Sequence, residues 1–408
     1  MDTILQTYSS GLKLIYQYSP AHVAHCGLMI GAGCREETTG KEGLAHFIEH
    51  VLFKGTLKRK AWQVLTRLES VGGELNAYTT REETCVHASF MNIHLERSVE
   101  LIGDIVFNSI FPEKEIEKEK EVVLDEILSY LDSPMDQIYD DFECQVFKGH
   151  PLGNPILGSE NSVKGFTRKD ILAFVKKHYR SDNMVFSYLG SHSFQEVDSM
   201  VSNYLIRNSR KAIEPKKIVK RLQKISREKV ILPLKQAHFI TGCAAYSFRD
   251  KRRFPMFLLN NILGGPGMNS RLNMNIREKY GFTYNIESGY VPYRDAGIFT
   301  IYLATEQKHF DKTVTLVNAE TRKLREVKIS GIQLSRHKEQ IKGQIAISQE
   351  NRSGVMLNNA KSVLNYGQPV NIESVFKHLD NVTSSAIQDV ANEILAPAAL
   401  GSLLYYPG

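Results

Sequence analysis

Gly43-Leu44-Ala45-His46-Phe47-Ile48-Glu49-His50-Val51-Leu52-Phe53 is the stretch on which the reading of this chain turns. No proline interrupts it and most of its residues are apolar, which predicts a buried helix. Positions four apart on a helix lie one above the other, so His46 and His50 share a face and their imidazoles can converge on one ion. Glu49, one residue before the second His, can reach a water on that ion without ligating it, the position of a general base in metal-assisted hydrolysis. The arrangement is the inverted form of the zincin signature, H-x-x-E-H.

A third ligand is expected at Glu126. The run from Pro112 to Tyr130 predicts a long helix: Pro112 stands near its start, acidic residues crowd the first turns, and Ile116, Val123 and Ile127 recur at helical spacing. Glu113, Glu115 and Glu117 read as solvated surface charges. Glu126 differs, because Val122, Val123, Leu124, Ile127 and Leu128 surround it with apolar residues, and a carboxylate there needs a partner such as a cation. Glu119, two turns earlier on the same face, is placed to orient a ligand His through its other ring nitrogen. Two His and one Glu leave the fourth tetrahedral position of a zinc ion free for water, the pattern of a catalytic site. Manganese or cobalt suits the same donors, but one Zn2+ per chain is the expectation.

These residues resemble the pitrilysin or insulinase-type zinc peptidases, a family that includes the mitochondrial processing peptidases. In that family a Glu ligand follows the second His of the inverted motif by 76 positions, the separation of His50 and Glu126. The resemblance runs through nearly the whole chain and suggests a short-chain, bacterial-type member. It implies an α+β fold of two similar halves, each a mostly antiparallel sheet flanked by helices. Gly73, Asn76, Ala77 and Tyr78 match the edge strand on which relatives lay the substrate backbone, so Asn76 and Ala77 are expected to bind substrate. Main-chain pairing of that kind suits a peptidase, because it recognises extended peptides with little regard for their sequence. Arg277 and Tyr284, seven apart, match the pair that reaches the reaction centre in relatives, where both side chains can donate to a developing oxyanion. Val51 departs from the Met that many relatives carry.

Bulk properties exclude several other classes. The 408 residues are 42% hydrophobic and 24% charged, an ordinary globular composition. No run approaches eighteen apolar residues, and the N-terminal residues lack the basic start and apolar core of a signal peptide, so a cytoplasmic protein without membrane association is expected. Cys26, Cys34, Cys85, Cys144 and Cys243 show no C-x-x-C spacing and read as reduced thiols. The net charge is +6, but Arg207 to Lys229 alone contributes ten basic residues against two acidic ones. A basic linker explains that balance better than a nucleic-acid surface, and no nucleic-acid motif accompanies it.

Along the chain, Leu12–Tyr16 and Cys26–Ile30 read as strands, Trp62–Val71 as a helix ending at Gly72-Gly73, and Glu74–Thr79 as a strand paired with Cys85–Met91. From Val230 onward strand, helix and Gly-rich turn recur in the same order, which suggests an internal duplication. The domains expected are 1–206, the zinc-binding catalytic half; 207–229, a basic linker; and 230–408, a homologous half without the metal motif. Ile332–Leu364 and Ile372–Leu395 read as helical. The Gly-rich turn at Gly264 lacks the Gly-Lys-Ser/Thr ending of a phosphate loop.

The function expected is zinc-dependent endopeptidase activity on short or unfolded peptides in an enclosed chamber, with Glu49 as general base. A non-catalytic or partner-requiring subunit of a heterodimeric processing peptidase is the alternative. Long relatives contain two such chains in one, so a homodimer is implied, with Arg277 and Tyr284 of one copy serving the zinc of the other.

Overall fold

Short apolar strands open each sequence half, and amphipathic helices follow them. The computed structural model describes residues 3–206 and 225–408. In the first half come β1 (Thr3–Thr7), β2 (Lys13–Tyr18), β3 (Val23–Ile30), α1 (Leu44–Leu52), α2 (Ala61–Glu69), β4 (Glu74–Thr79) and β5 (Thr84–Met91). They are followed by α3 (Leu95–Asn108), α4 (Glu113–Leu131), α5 (Pro134–Val146), α6 (Glu160–Lys164), α7 (Arg168–His178), β6 (Met184–Gly190) and α8 (Phe194–Tyr204). The second half holds β7 (Arg227–Leu232), β8 (Ala237–Ala245), α9 (Arg253–Gly264), a π-helical turn at Asn273–Glu278, β9 (Thr283–Pro292) and β10 (Gly297–Thr305). It closes with α10 (Phe310–Glu326), α11 (Gly331–Ser348), α12 (Arg352–Tyr366), α13 (Ile372–Asp380), α14 (Ser384–Ile394) and β11 (Gly401–Pro407).

The two sheets have the same plan, as expected for an α+β fold built by duplication. The first runs β1-β2-β6-β3-β5-β4 and the second β7-β11-β8-β10-β9. In each, one pair is parallel, β2 with β6 and β7 with β11, and every other pair is antiparallel. Matching β2, β6, β3, β5 and β4 to β7, β11, β8, β10 and β9 superimposes both order and direction; β1 is the addition. The shared strand order is in keeping with the internal duplication that the sequence suggests.

The chain forms two compact units, but they are not the two contiguous halves. One comprises residues 3–129, 154–206 and 347–370; the other comprises residues 130–153, 225–346 and 371–408. Each unit therefore takes one helix from the opposite sequence half. In the first unit, α12 lies on β2, β3 and β6, where Ala360 and Val363 pack with Ile15, Met29 and Val185. Ser187 Oγ donates to the Met356 carbonyl at 2.8 Å. In the second, α5 buries Ile138, Phe142 and Val146 with Ile240, Tyr302, Leu403 and Tyr405. Apolar faces decide this exchange, and a boundary drawn from composition does not detect it. Of the expected linker, residues 207–224 lie outside the described residues, and Arg227–Lys229 belong to β7 rather than to a linker.

Two long helical runs are interrupted. Ile332–Leu364 breaks between α11 and α12, where the Asn351 side chain accepts from Gly354 N at 3.0 Å and caps the second helix. Ile372–Leu395 breaks before Thr383, whose hydroxyl accepts from Ala386 N at 3.1 Å. Local caps outweigh the continuous periodicity at both points.

Candidate metal centre

Helix α1 is fixed by burial on one side and by its first turn on the other. Leu44, Ala45, Phe47, Ile48, Val51 and Leu52 are all buried in the core of the first unit, each large side chain contributing roughly 2 kcal/mol. Its N-cap is Gly43, at φ 89°, where a Cβ would come within 2.5 Å of the Leu157 carbonyl oxygen; only glycine fits. Gly43 offers no side-chain cap. Instead Glu37 reaches in from the preceding loop and accepts from Gly43 N at 3.0 Å and Ala45 N at 2.7 Å.

Rotation of α1 leaves His46 and His50 facing α4, with ring centroids 4.6 Å apart. From α4, Glu126 Oε2 stands 3.7 Å from His46 Nε2 and 3.4 Å from His50 Nε2. Neither contact has hydrogen-bond geometry, and Glu126 Oε2 is buried without a hydrogen-bond partner. The ligating atoms of the three residues lie within 4.8 Å of one another. Four donors around zinc at its usual bond lengths would be separated by roughly 3.4 Å, so the donor set and its spacing fit that ion. Glu126 is less enclosed than its apolar neighbours in sequence suggest: its side chain is 35% exposed, and Val122 and Leu128 face solvent.

Glu119 lies on the other side of the same imidazole. Its Oε1 is 2.9 Å from His50 Nδ1, and its Oε2 is 2.6 Å from Lys54 Nζ. Burial alone would lower the pKa of His50, but the carboxylates of Glu119 and Glu126 outweigh it and raise the value to about 9 in the free protein. Burial and the neighbouring His50 push His46 down to about 4. Glu119 is held below the usual carboxylate range because its contacts with His50 and Lys54 outweigh the burial that opposes them. Glu126 is lowered too, by His50 first.

Glu49 lies near both His50 and Thr79 of β4. Burial, with a smaller push from Glu126, raises its pKa, opposed by the Thr79 hydroxyl and His50. Its Oε2 is buried and makes no hydrogen bond. Strand β4 is the last strand of its sheet and runs beside α1. Asn76 pairs with His87 and Ala77 with Val86 of β5, so the opposite edge of β4 has no strand partner among the described residues. Asn76 is exposed there and Ala77 half-buried.

Arg277 and Tyr284 belong to the second unit. Arg277 sits in the π-helical turn and its guanidinium lies 4.9 Å from the centre of the Tyr284 ring, a cation–π contact; Tyr284 is 77% exposed. Two contributors escaped the sequence reading. Lys54 follows His50 by four residues, a helical spacing that signals a shared face, whereas Glu37 acts from a loop where no periodicity applies.

Comparison with known proteins agrees with this geometry. A family model for Insulinase (Peptidase family M16) matches residues 13–160, and one for the Peptidase M16 inactive domain matches residues 165–341. An uncharacterized zinc protease of Bacillus subtilis, YmxG, is 30% identical over 392 residues, covering 95% of this chain and 94% of that protein. An uncharacterized zinc protease of Rickettsia bellii is 31% identical over 399 residues, covering 97% and 95%. Among solved structures, a protease from Helicobacter pylori matches with a TM-score of 0.91 at 20% identity, over 100% of this chain and 99% of that one. A Pseudomonas fluorescens structure described as a peptidase M16 inactive domain gives 0.89 at 18% identity, over 100% and 99%. With whole-length similarity to these relatives and the inverted motif in the matched segment, the chain belongs to the insulinase family of peptidases, family M16.

Proposed function

We propose that this protein is a zinc-dependent endopeptidase whose metal is held by His46, His50 and Glu126. The observation that carries the proposal is the convergence of three metal-binding atoms, from α1 and α4, within 4.8 Å of one another, with α1 packed against the terminal strand β4. When bound there, zinc supplies Lewis acidity toward a water and a carbonyl oxygen. Glu49 accepts a proton from the attacking water at its free Oε2 and returns it to the leaving amine nitrogen. An extended peptide adds as a strand along Asn76 and Ala77, which favours short or unfolded substrates. The resemblance to the family assigns Arg277 and Tyr284 to the developing oxyanion, and a homodimer to the working form. Cys26, Cys85 and Cys243 are buried thiols outside any disulfide, in keeping with the cytosol as the proposed place of action.

Incubation with an unfolded polypeptide in 18O-labelled water, followed by mass spectrometry, tests the reading. Internal cleavage with one 18O atom in each new carboxylate is expected; a substrate recovered intact under zinc-replete conditions would contradict it. A subunit that needs a different partner is the second reading, favoured by the match of residues 165–341 to a domain described as inactive.

A further inference from the structure

We propose that Lys54 is a positioning residue of the metal centre: by holding Glu119, it fixes the imidazole of His50 with Nε2 toward the ion. The inference rests on the zinc reading of His46, His50 and Glu126. Lys54 lies just past the C-terminal end of α1, where the helix dipole favours a cation, and its ammonium meets Glu119 Oε2 at 2.6 Å. The other oxygen of that carboxylate meets His50 Nδ1 at 2.9 Å. Both oxygens of Glu119 are thus engaged, one by a fixed charge and one by the ring, and the Glu119 side chain is only 6% exposed.

This geometry sets the tautomer. With Glu119 accepting at Nδ1, the proton of the neutral ring stays on Nδ1 and the Nε2 lone pair is left for the metal. A carboxylate held at one oxygen only could turn about its terminal torsion and release the ring; Lys54 removes that freedom. An exposed lysine–carboxylate pair contributes little, but this one closes on a buried carboxylate that in turn holds a ligand. Lys54 therefore acts on the ion through two intermediaries, without touching substrate or metal.

Zinc affinity of the full-length protein, measured by competition with a chromophoric chelator, separates this role from a merely structural one. Lys54→Met is expected to bind zinc at least 10-fold more weakly, Lys54→Arg to recover most of the loss, and Lys54→Met combined with Glu119→Gln to be no weaker than Glu119→Gln alone. Circular dichroism of the zinc-free proteins at the assay temperature shows that each is folded; if Lys54→Met is not, Lys54→Gln takes its place. Wild-type zinc affinity in the folded variant, or losses that add in the double variant, would overturn the role of Lys54. Failure of the wild-type protein to take up zinc would instead remove the reading on which it rests.

Discussion

Glu119 and Glu126 stand two turns apart on α4 and address one imidazole from its two sides: Glu119 Oε1 is 2.9 Å from His50 Nδ1, and Glu126 Oε2 is 3.4 Å from His50 Nε2. The same residue type on the same helix face thus has two different tasks. Glu119 is engaged on both oxygens by fixed partners, whereas Glu126 Oε2 makes no hydrogen bond. A buried carboxylate oxygen without a hydrogen bond, close to two imidazole nitrogens, fits the ligand role proposed for Glu126.

Replacing that oxygen should therefore abolish the site while leaving the fold intact. Glu126→Gln is expected to lose stoichiometric zinc, and with it at least a 1,000-fold of any peptidase activity, with little change in thermal stability of the metal-free protein. Elemental analysis after gel filtration checks the first point. Retention of one zinc per chain by the variant would assign the third ligand elsewhere.

The cap on the metal helix is expected to matter for stability rather than for chemistry. Glu37→Ala leaves the N–H groups of Gly43 and Ala45 without their acceptor, which should destabilise the first unit by about 1–2 kcal/mol. Urea denaturation of the metal-free protein measures this. Zinc content at low temperature should stay at the wild-type level.

His178 gives the fold a defined acid sensitivity. At the end of α7 its ring packs 4.6 Å from that of Phe174, and burial, with Lys177 and Arg180 adding to it, holds its pKa down at about 4 against an ordinary 6.5. Between those values the unfolded chain binds more protons than the folded one, so this contribution is complete above pH 6.5 and is lost as pH falls toward 4. In His178→Phe, stability should fall less steeply over that window than in the wild type. Identical slopes in the two proteins would show that the His178 ring titrates normally.

Complementation addresses the second copy. Glu49→Gln and Arg277→Ala proteins, each inactive alone, should regain part of the wild-type activity when mixed under conditions that exchange subunits, because one zinc site would then receive an intact Arg277. No recovery despite demonstrated exchange would rule out completion of the site by a second chain.

Much of this site was legible in the sequence because its spacings are helical. His46 and His50 are one turn apart, Glu119 and Glu126 two, and burial of Leu44, Phe47, Ile48 and Val51 follows from the apolar run in which the histidines sit. Strand β4, with Asn76 and Ala77, starts and ends where its turn residues predict, after Gly72-Gly73. What was not legible depends on contacts between distant segments. Nothing local tells α5 to cover β8 and β11, or α12 to cover β2, β3 and β6; those choices follow from which sheet face each apolar stripe can reach. Glu126 was expected to be enclosed because its neighbours are apolar, yet adjacent residues on a helix face different directions, and Val122 and Leu128 point to solvent. Glu37 escaped because a cap supplied from a loop carries no period.

The most direct measurement is turnover of a quenched fluorescent peptide library by the purified chain, with and without a chelator, beside Glu49→Gln. Cleavage that the chelator abolishes and added zinc restores is expected, with a Glu49→Gln protein that keeps its zinc but is about 100-fold slower or more. Cleavage that persists in the chelator, or that survives unchanged in Glu49→Gln, would contradict the zinc-peptidase reading.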